Sequence, residues 1–254
     1  MSSTMVSAPQ TSSTPHAPQE KLVPPSISAP PQRANVVVSE RIIIPGWVDD
    51  LDAYRRWAVS DEFPQTGWIS FLDGVIFVDP DMEELFTHNQ VKGAYAFAVM
   101  SVLGVPPIGM YVHDRMLLTN SFANLSTEPD GLFFDWNTVQ SNRLRMVEGA
   151  EGYIELTGTP DMVLEVVSKH SVPKDTRTLR ELYWKAGIPE YWLVDARETE
   201  PRFEILRHSE NEYVSVGPTD GWLTSSILRR QFQLVKQLNP LGQPQFIVNQ
   251  REIS

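Results

Sequence analysis

The sequence predicts an α/β fold, a mixed β-sheet core flanked by helices. Three observations carry this. Residues 161–195 read as strand, helix, strand; WISFLDGVIFV reads as a tight hairpin; and RFEILRH, EYVSVG and QFQLVKQL supply further short apolar-alternating runs. Two strands joined through a helix run parallel, and short strands following one another closely run antiparallel, so together they give a mixed sheet.

Residues 1–35 are expected to be a disordered tail, because their Pro, Ser and Thr leave too little apolar surface to offset the entropy of ordering. Residues 36–254 are expected to form a single domain. VVV and then RIIIPGWV suggest an edge strand from Val36, stopped by Pro45. In LDAYRRWAVSDEF, Leu51 to Phe63, the residues Leu51, Tyr54, Trp57 and Ala58 stand at helical spacing behind Asp49 or Asp50 as N-cap. Two apolar arms then flank Asp73-Gly74, a pair suited to the two positive φ angles of a type I′ turn. A helix is expected from about Asp81 to Leu103, broken by PPIG. MLLTN and DGLFFDW read as strands, and RLRMVEG and YIELTG flank a turn at Gly149 to Gly152. In DTRTLRELYWKAG, Leu179, Leu182, Tyr183 and Ala186 form an i, i+3, i+4, i+7 stripe, with Asp175 as N-cap and Gly187 as terminator. PEYWLVD, residues 189–195, returns as a strand, which implies a right-handed parallel crossover.

The formal net charge of −11 argues against nucleic-acid binding by bulk electrostatics, though not against an acidic site that gains a divalent cation. With no cysteine there is neither a disulfide framework nor a thiolate metal site. No apolar run approaches the roughly eighteen residues needed to span a bilayer, and no secretory signal is visible, which makes the cytoplasm the default location.

One residue is out of place. In TPDMVLEVVSKHS, Glu165 interrupts the buried-strand run of Met162, Val163, Leu164, Val166 and Val167. A carboxylate in a central strand is costly unless something pairs with it or coordinates it. Asp130, in TEPDGLFF, is a second acid beside an apolar strand. Two carboxylates from neighbouring strand ends can share one hard cation with oxygen ligands; a salt-bridged or proton-sharing structural pair is the alternative. Asp161 shares the strand parity of Glu165 but reads more simply as a polar strand start. Glu83 and Glu84 read as first-turn charges, and His88 and Lys92, four apart on the expected helix, could line a cleft. Lys169, His170, Lys174, Arg177, Arg180 and Lys185 make a locally basic segment, either a solvated face or a track for phosphates. Trp184, Tyr191 and Trp192 read as core or interface.

PD at Asp130, EVVS at Glu165, then KD, ELY and AGIPEYWLVD resemble the Uma-type restriction endonucleases of the PD-(D/E)XK nuclease superfamily, over roughly Trp47 to Asp195. The resemblance implies a restriction-endonuclease-like core and a phosphodiesterase dependent on Mg²⁺ or Mn²⁺, with DNA as substrate. It also implies metal ligation by Asp130, Glu165 and the Val166 carbonyl, and a lysine that completes the site. Here the chain departs from the pattern. The nominal lysine position is Val167, and the alternative on the following helix, four residues before the ELY tyrosine, is Leu179. Ser70 stands where the family carries a glutamate. Lys174, Lys169 and Lys92 are the candidate replacements, Lys174 first, because the loop leaving Glu165 must pass the carboxyl edge of the sheet. The expected function is a DNA endonuclease acting through Asp130, Glu165 and Lys174. A degenerate binding scaffold and a metal-free acid–base hydrolase are the alternatives; no membrane partner is expected, and a homodimer is left open.

Overall fold

The computed structural model describes residues 35–39, 42–80, 82–149 and 152–253, so that the expected tail, Asn35 apart, lies outside the described residues. The first elements are a short antiparallel pair, β1 (Val36–Ser39) and β2 (Ile42–Ile44), with Ile42 and Ile44 inward. Helix α1 (Leu51–Ala58) opens on Asp50, whose carboxylate accepts from the Ala53 amide at 2.7 Å. It ends short of the expected Phe63 because the Ser60 hydroxyl and amide both donate to the Trp57 carbonyl and close the last turn. Strands β3 (Trp68–Leu72) and β4 (Val75–Asp79) form the predicted hairpin, with φ of 49° at Asp73 and 86° at Gly74.

The second helix starts later than predicted. A π-helical turn, Leu85–Asn89, leads into α2 (Gln90–Val102), and Glu84 caps it by accepting from the Thr87 amide. There follow β5 (Gly109–His113), β6 (Leu117–Asn120), β7 (Leu125–Thr127), β8 (Gly131–Asp135), the short α3 (Trp136–Gln140), β9 (Leu144–Gly149) and β10 (Gly152–Gly158). The predicted crossover unit is β11 (Met162–Val166), a π-helical turn (Lys174–Leu179), α4 (Arg180–Lys185) and β12 (Glu190–Asp195), with β11 and β12 parallel. Gly187 ends the helix at φ 72°, as expected. The remaining strands are β13 (Arg202–His208), β14 (Tyr213–Ser215), β15 (Leu223–Ser225), β16 (Arg230–Leu238) and β17 (Pro244–Glu252).

The central sheet has the order β14-β13-β12-β11-β8-β5, and a second six-stranded sheet runs β4-β3-β7-β6-β10-β9. Strand parity explains how the layers meet. Val163 and Val167 pack with Leu179, Leu182 and Tyr183 of the helical segment and with Leu118 and Leu156 of the second sheet. Met162, Leu164 and Val166 face the other way, toward Tyr95 and Val99 of α2 and Phe232 and Phe246 of the β15-β16-β17 sheet. β11 is thus covered on both faces, and Glu165, with the parity of Val163 and Val167, lies beneath the helical segment. Among the described residues no helix is long and apolar enough to cross a membrane.

Candidate active site

The end of β11 and the start of β8 meet at one edge of the central sheet. Their antiparallel register pairs Leu164 with Gly131, and one further step sets Glu165 opposite Asp130. There the side chain takes over from the backbone ladder, since Asp130 Oδ2 accepts from the Val166 amide at 2.7 Å. Asp130, Glu165, Val166 and Lys174 all line one cleft of about 430 Å³, together with Glu83, His88 and Asp175.

Glu165 is 2% exposed, and the Tyr183 hydroxyl donates to its Oε1 at 2.6 Å. Burial raises its pKa well above the ordinary carboxylate value; the charges of Asp130 and Asp175 add to this, while Lys174 and the Tyr183 hydrogen bond oppose it. Lys174 Nζ stands 3.3 Å from Asp175 Oδ1 and 5.6 Å from the ring centre of Phe77 on β4. Its burial would lower its pKa, but Asp175, Glu165 and Asp130 outweigh that and raise it, so it stays an ammonium.

Asp175 is a correction to the sequence reading. It does not cap the helix: Pro173 occupies that position, and no side chain caps it. Asp175 is instead a buried acid at the cleft, accepting from the Ser171 hydroxyl, with burial pushing its pKa up to about 6 despite Lys174. Glu83 is a second correction. It pairs with Lys92 and lies 3.8 Å from His88 Nδ1, and these partners, His88 first, hold its pKa well below the usual range. Lys92 is buried on α2; its ammonium is 2.7 Å from Asp114 and 3.5 Å from Asp130 Oδ1. His88 Nε2 is 3.7 Å from Asp130 Oδ2, so the histidine does line the cleft.

Other sequence candidates fall elsewhere. Lys169 and His170 are exposed at the cleft rim. Asp161 belongs to the far end of β11, where it accepts from the Asp135 amide, the Thr138 hydroxyl and Arg143. Leu179 is fully buried in the core, bringing no charge to the cleft. Ser70 shares a hydrogen bond of 2.8 Å with Thr127. The two π-helical turns both border the cleft, one carrying His88 and the other Lys174 and Asp175. A π turn alters which side chains a helix turns inward, and such turns recur at functional sites.

Two donor sets share Asp130. Asp130 and Glu165 offer hard oxygen atoms, and the ionised form of buried Glu165 is one that a divalent cation would stabilise. Glu83, His88 and Asp130 also bring their ligand atoms within 4.8 Å of one another. That set includes a nitrogen, and the Lys92 ammonium already pairs with both of its carboxylates.

A family profile described as "Uma2: Putative restriction endonuclease" matches residues 51–237. No curated protein matches the chain. Among solved structures, the crystal structure of a "putative nuclease belonging to DUF820" from Anabaena variabilis is similar at a TM-score of 0.51 and 19% identity, covering 70% of this chain and 90% of that one. At that identity the likeness bears on the fold, which is the restriction-endonuclease-like α/β core that the sequence predicts.

Proposed function

The chain belongs to the Uma2 "Putative restriction endonuclease" family, and from that premise we propose that it is a metal-dependent endonuclease that hydrolyses phosphodiester bonds in DNA. The observation that supports this most is the placement of Asp130 opposite Glu165 on a cleft that Lys174 also lines. In this reading Asp130, Glu165 and the Val166 carbonyl hold Mg²⁺ or Mn²⁺. The cation supplies the charge that polarises the scissile phosphate and acidifies a water.

The chain's own groups prepare the site. The Val166 amide fixes Asp130, and the Tyr183 hydroxyl fixes Glu165, each through one carboxylate oxygen. Lys174 faces the anionic phosphate from the first residue of its helical turn, doing from there what a lysine at position 179 would do. The acidic net charge is met locally by Lys169 at the rim, which tracks the backbone beside the cut.

Purified protein incubated with supercoiled plasmid and Mg²⁺ or Mn²⁺ is expected to convert it to nicked and linear forms. Asp130→Ala and Glu165→Ala are each expected to stop this. Cleavage that survives both substitutions ends the proposal.

Leu179 and Ser70 favour a second reading, a binding scaffold that has lost its chemistry. Calorimetry separates the two: divalent-ion binding that disappears in Glu165→Gln speaks for a working site.

A further inference from the structure

A second cavity, about 310 Å³ in volume, adjoins the acidic cleft, and Glu128 lines both. Phe63, Leu117 and Ile154 give it apolar walls, while Arg115 and Glu128 supply opposite charges. The backbone here is strained: Asp114 and Arg115 are consecutive non-glycine residues at φ 48° and 56°. That turn sends two side chains in different directions. Asp114 accepts from Lys92 at 2.7 Å, whereas the Arg115 guanidinium lies 4.6 Å from the ring centre of Trp68, a residue of the cleft wall. Trp68, Arg115 and Glu128 therefore form the partition between the two cavities. Neither Arg115 nor Glu128 makes a side-chain hydrogen bond to another described residue, though the Arg115 charge acts on Glu128, so a five-donor fork and a partly buried carboxylate stand beside a ring-sized space of mixed polar and apolar lining.

We propose that this second cavity is a nucleobase subsite that takes guanine, next to the phosphate held in the acidic cleft. The proposal rests on the nuclease reading and names a base preference for it. The chemistry selects the base. Guanine presents two acceptors, O6 and N7, to the guanidinium fork and two donors, N1–H and the N2 amine, to the carboxylate. Every other base leaves at least one of the two side chains short of a bond. Phe63, Leu117 and Ile154 take the faces of the ring.

The test uses the full chain and short single-stranded oligonucleotides of one length, labelled with fluorescein, that differ only in whether they contain a G. Ca²⁺ replaces Mg²⁺ so that binding is read without cleavage. Fluorescence anisotropy is expected to show the G-containing strand bound roughly tenfold more tightly than the others. Arg115→Lys, which keeps the charge but loses the fork, and Glu128→Gln, which keeps the shape but loses the acceptor pair, are each expected to cut that preference below about threefold. Near-UV circular dichroism checks that both variants are folded. Binding without base preference, or a G preference unchanged in both variants, overturns the subsite and leaves the nuclease reading standing. A wild-type protein that binds none of the strands also overturns the subsite, while the nuclease reading stands or falls on the duplex plasmid.

Discussion

Replacing Glu165 with glutamine is expected to abolish cleavage while raising the melting temperature of the metal-free protein. Three carboxylates, Asp130, Glu165 and Asp175, act on one another in the cleft, and Lys174 is the ammonium that opposes them at Glu165. Removing one buried negative charge relieves that excess, and the glutamine carbonyl can still accept from Tyr183. Burial outweighs pairing at Glu165; desolvating one buried carboxylate costs several kcal/mol, and recovering about 1–2 kcal/mol of it in a domain of this size is a rise of a few degrees. The sign with pH follows from the raised pKa of Glu165. Its neutral form favours folding below the ordinary carboxylate range, and that contribution is lost as pH rises through the elevated value. The advantage of glutamine should therefore grow from acid toward alkaline pH. Loss of a ligand to the catalytic cation removes several kcal/mol of transition-state stabilisation, on the order of a thousandfold in rate. Scanning calorimetry at several pH values checks the first half and plasmid nicking the second. A sharply lower melting temperature would make Glu165 a structural residue.

The second large effect belongs to Lys174. Lys174→Met keeps the volume but leaves Asp175 and Glu165 without their shared counter-ion. Breaking a buried pair in this way costs about 3–5 kcal/mol. The deficit depends on pH in a definite direction. In the intact protein the pKa of Asp175 is raised from 3.8 to about 6, so the stability from its neutral form is complete in acid and is lost as pH rises through about 6. Without Lys174 that pKa moves higher still, because one of the groups holding it down is gone. Urea midpoints measured from pH 5 to pH 8 are expected to show a deficit that is largest at pH 8 and shrinks toward pH 5. A deficit that does not change with pH would mean that Lys174 serves only through its packing on Phe77.

The hairpin at Asp73-Gly74 was legible in the sequence because only a few residue pairs tolerate two positive φ angles. The crossover of β11 and β12 was legible because its helical stripe and its apolar strands have different periods. Glu165 stood out as the one carboxylate inside the apolar run of β11. What escaped was local and had no periodic signal. The strands β7 and β15 have three residues each, too few to show alternation. The π-helical turns depart from the 3.6-residue period on which helix readings depend, and the residues misassigned lie in or beside them. Asp175 precedes an amphipathic run as an N-cap does, yet the turn buries it. Glu83 stands before a helix as a dipole charge does, yet it reaches Lys92. The Lys92 contact was hinted at only by the four-residue spacing from His88. The family lysine position is a leucine with full burial, and no sequence rule says which nearby lysine reaches the cleft in its place.

If Asp130 and Glu165 share one divalent cation, bound manganese must lie between them. Crystals of the full chain grown with Mn²⁺ and measured at the manganese absorption edge are expected to give an anomalous peak about 2.2 Å from an oxygen of each carboxylate. A peak instead among Glu83, His88 and Asp130, out of reach of Glu165, or no peak in the cleft at all, would rule out the shared ion.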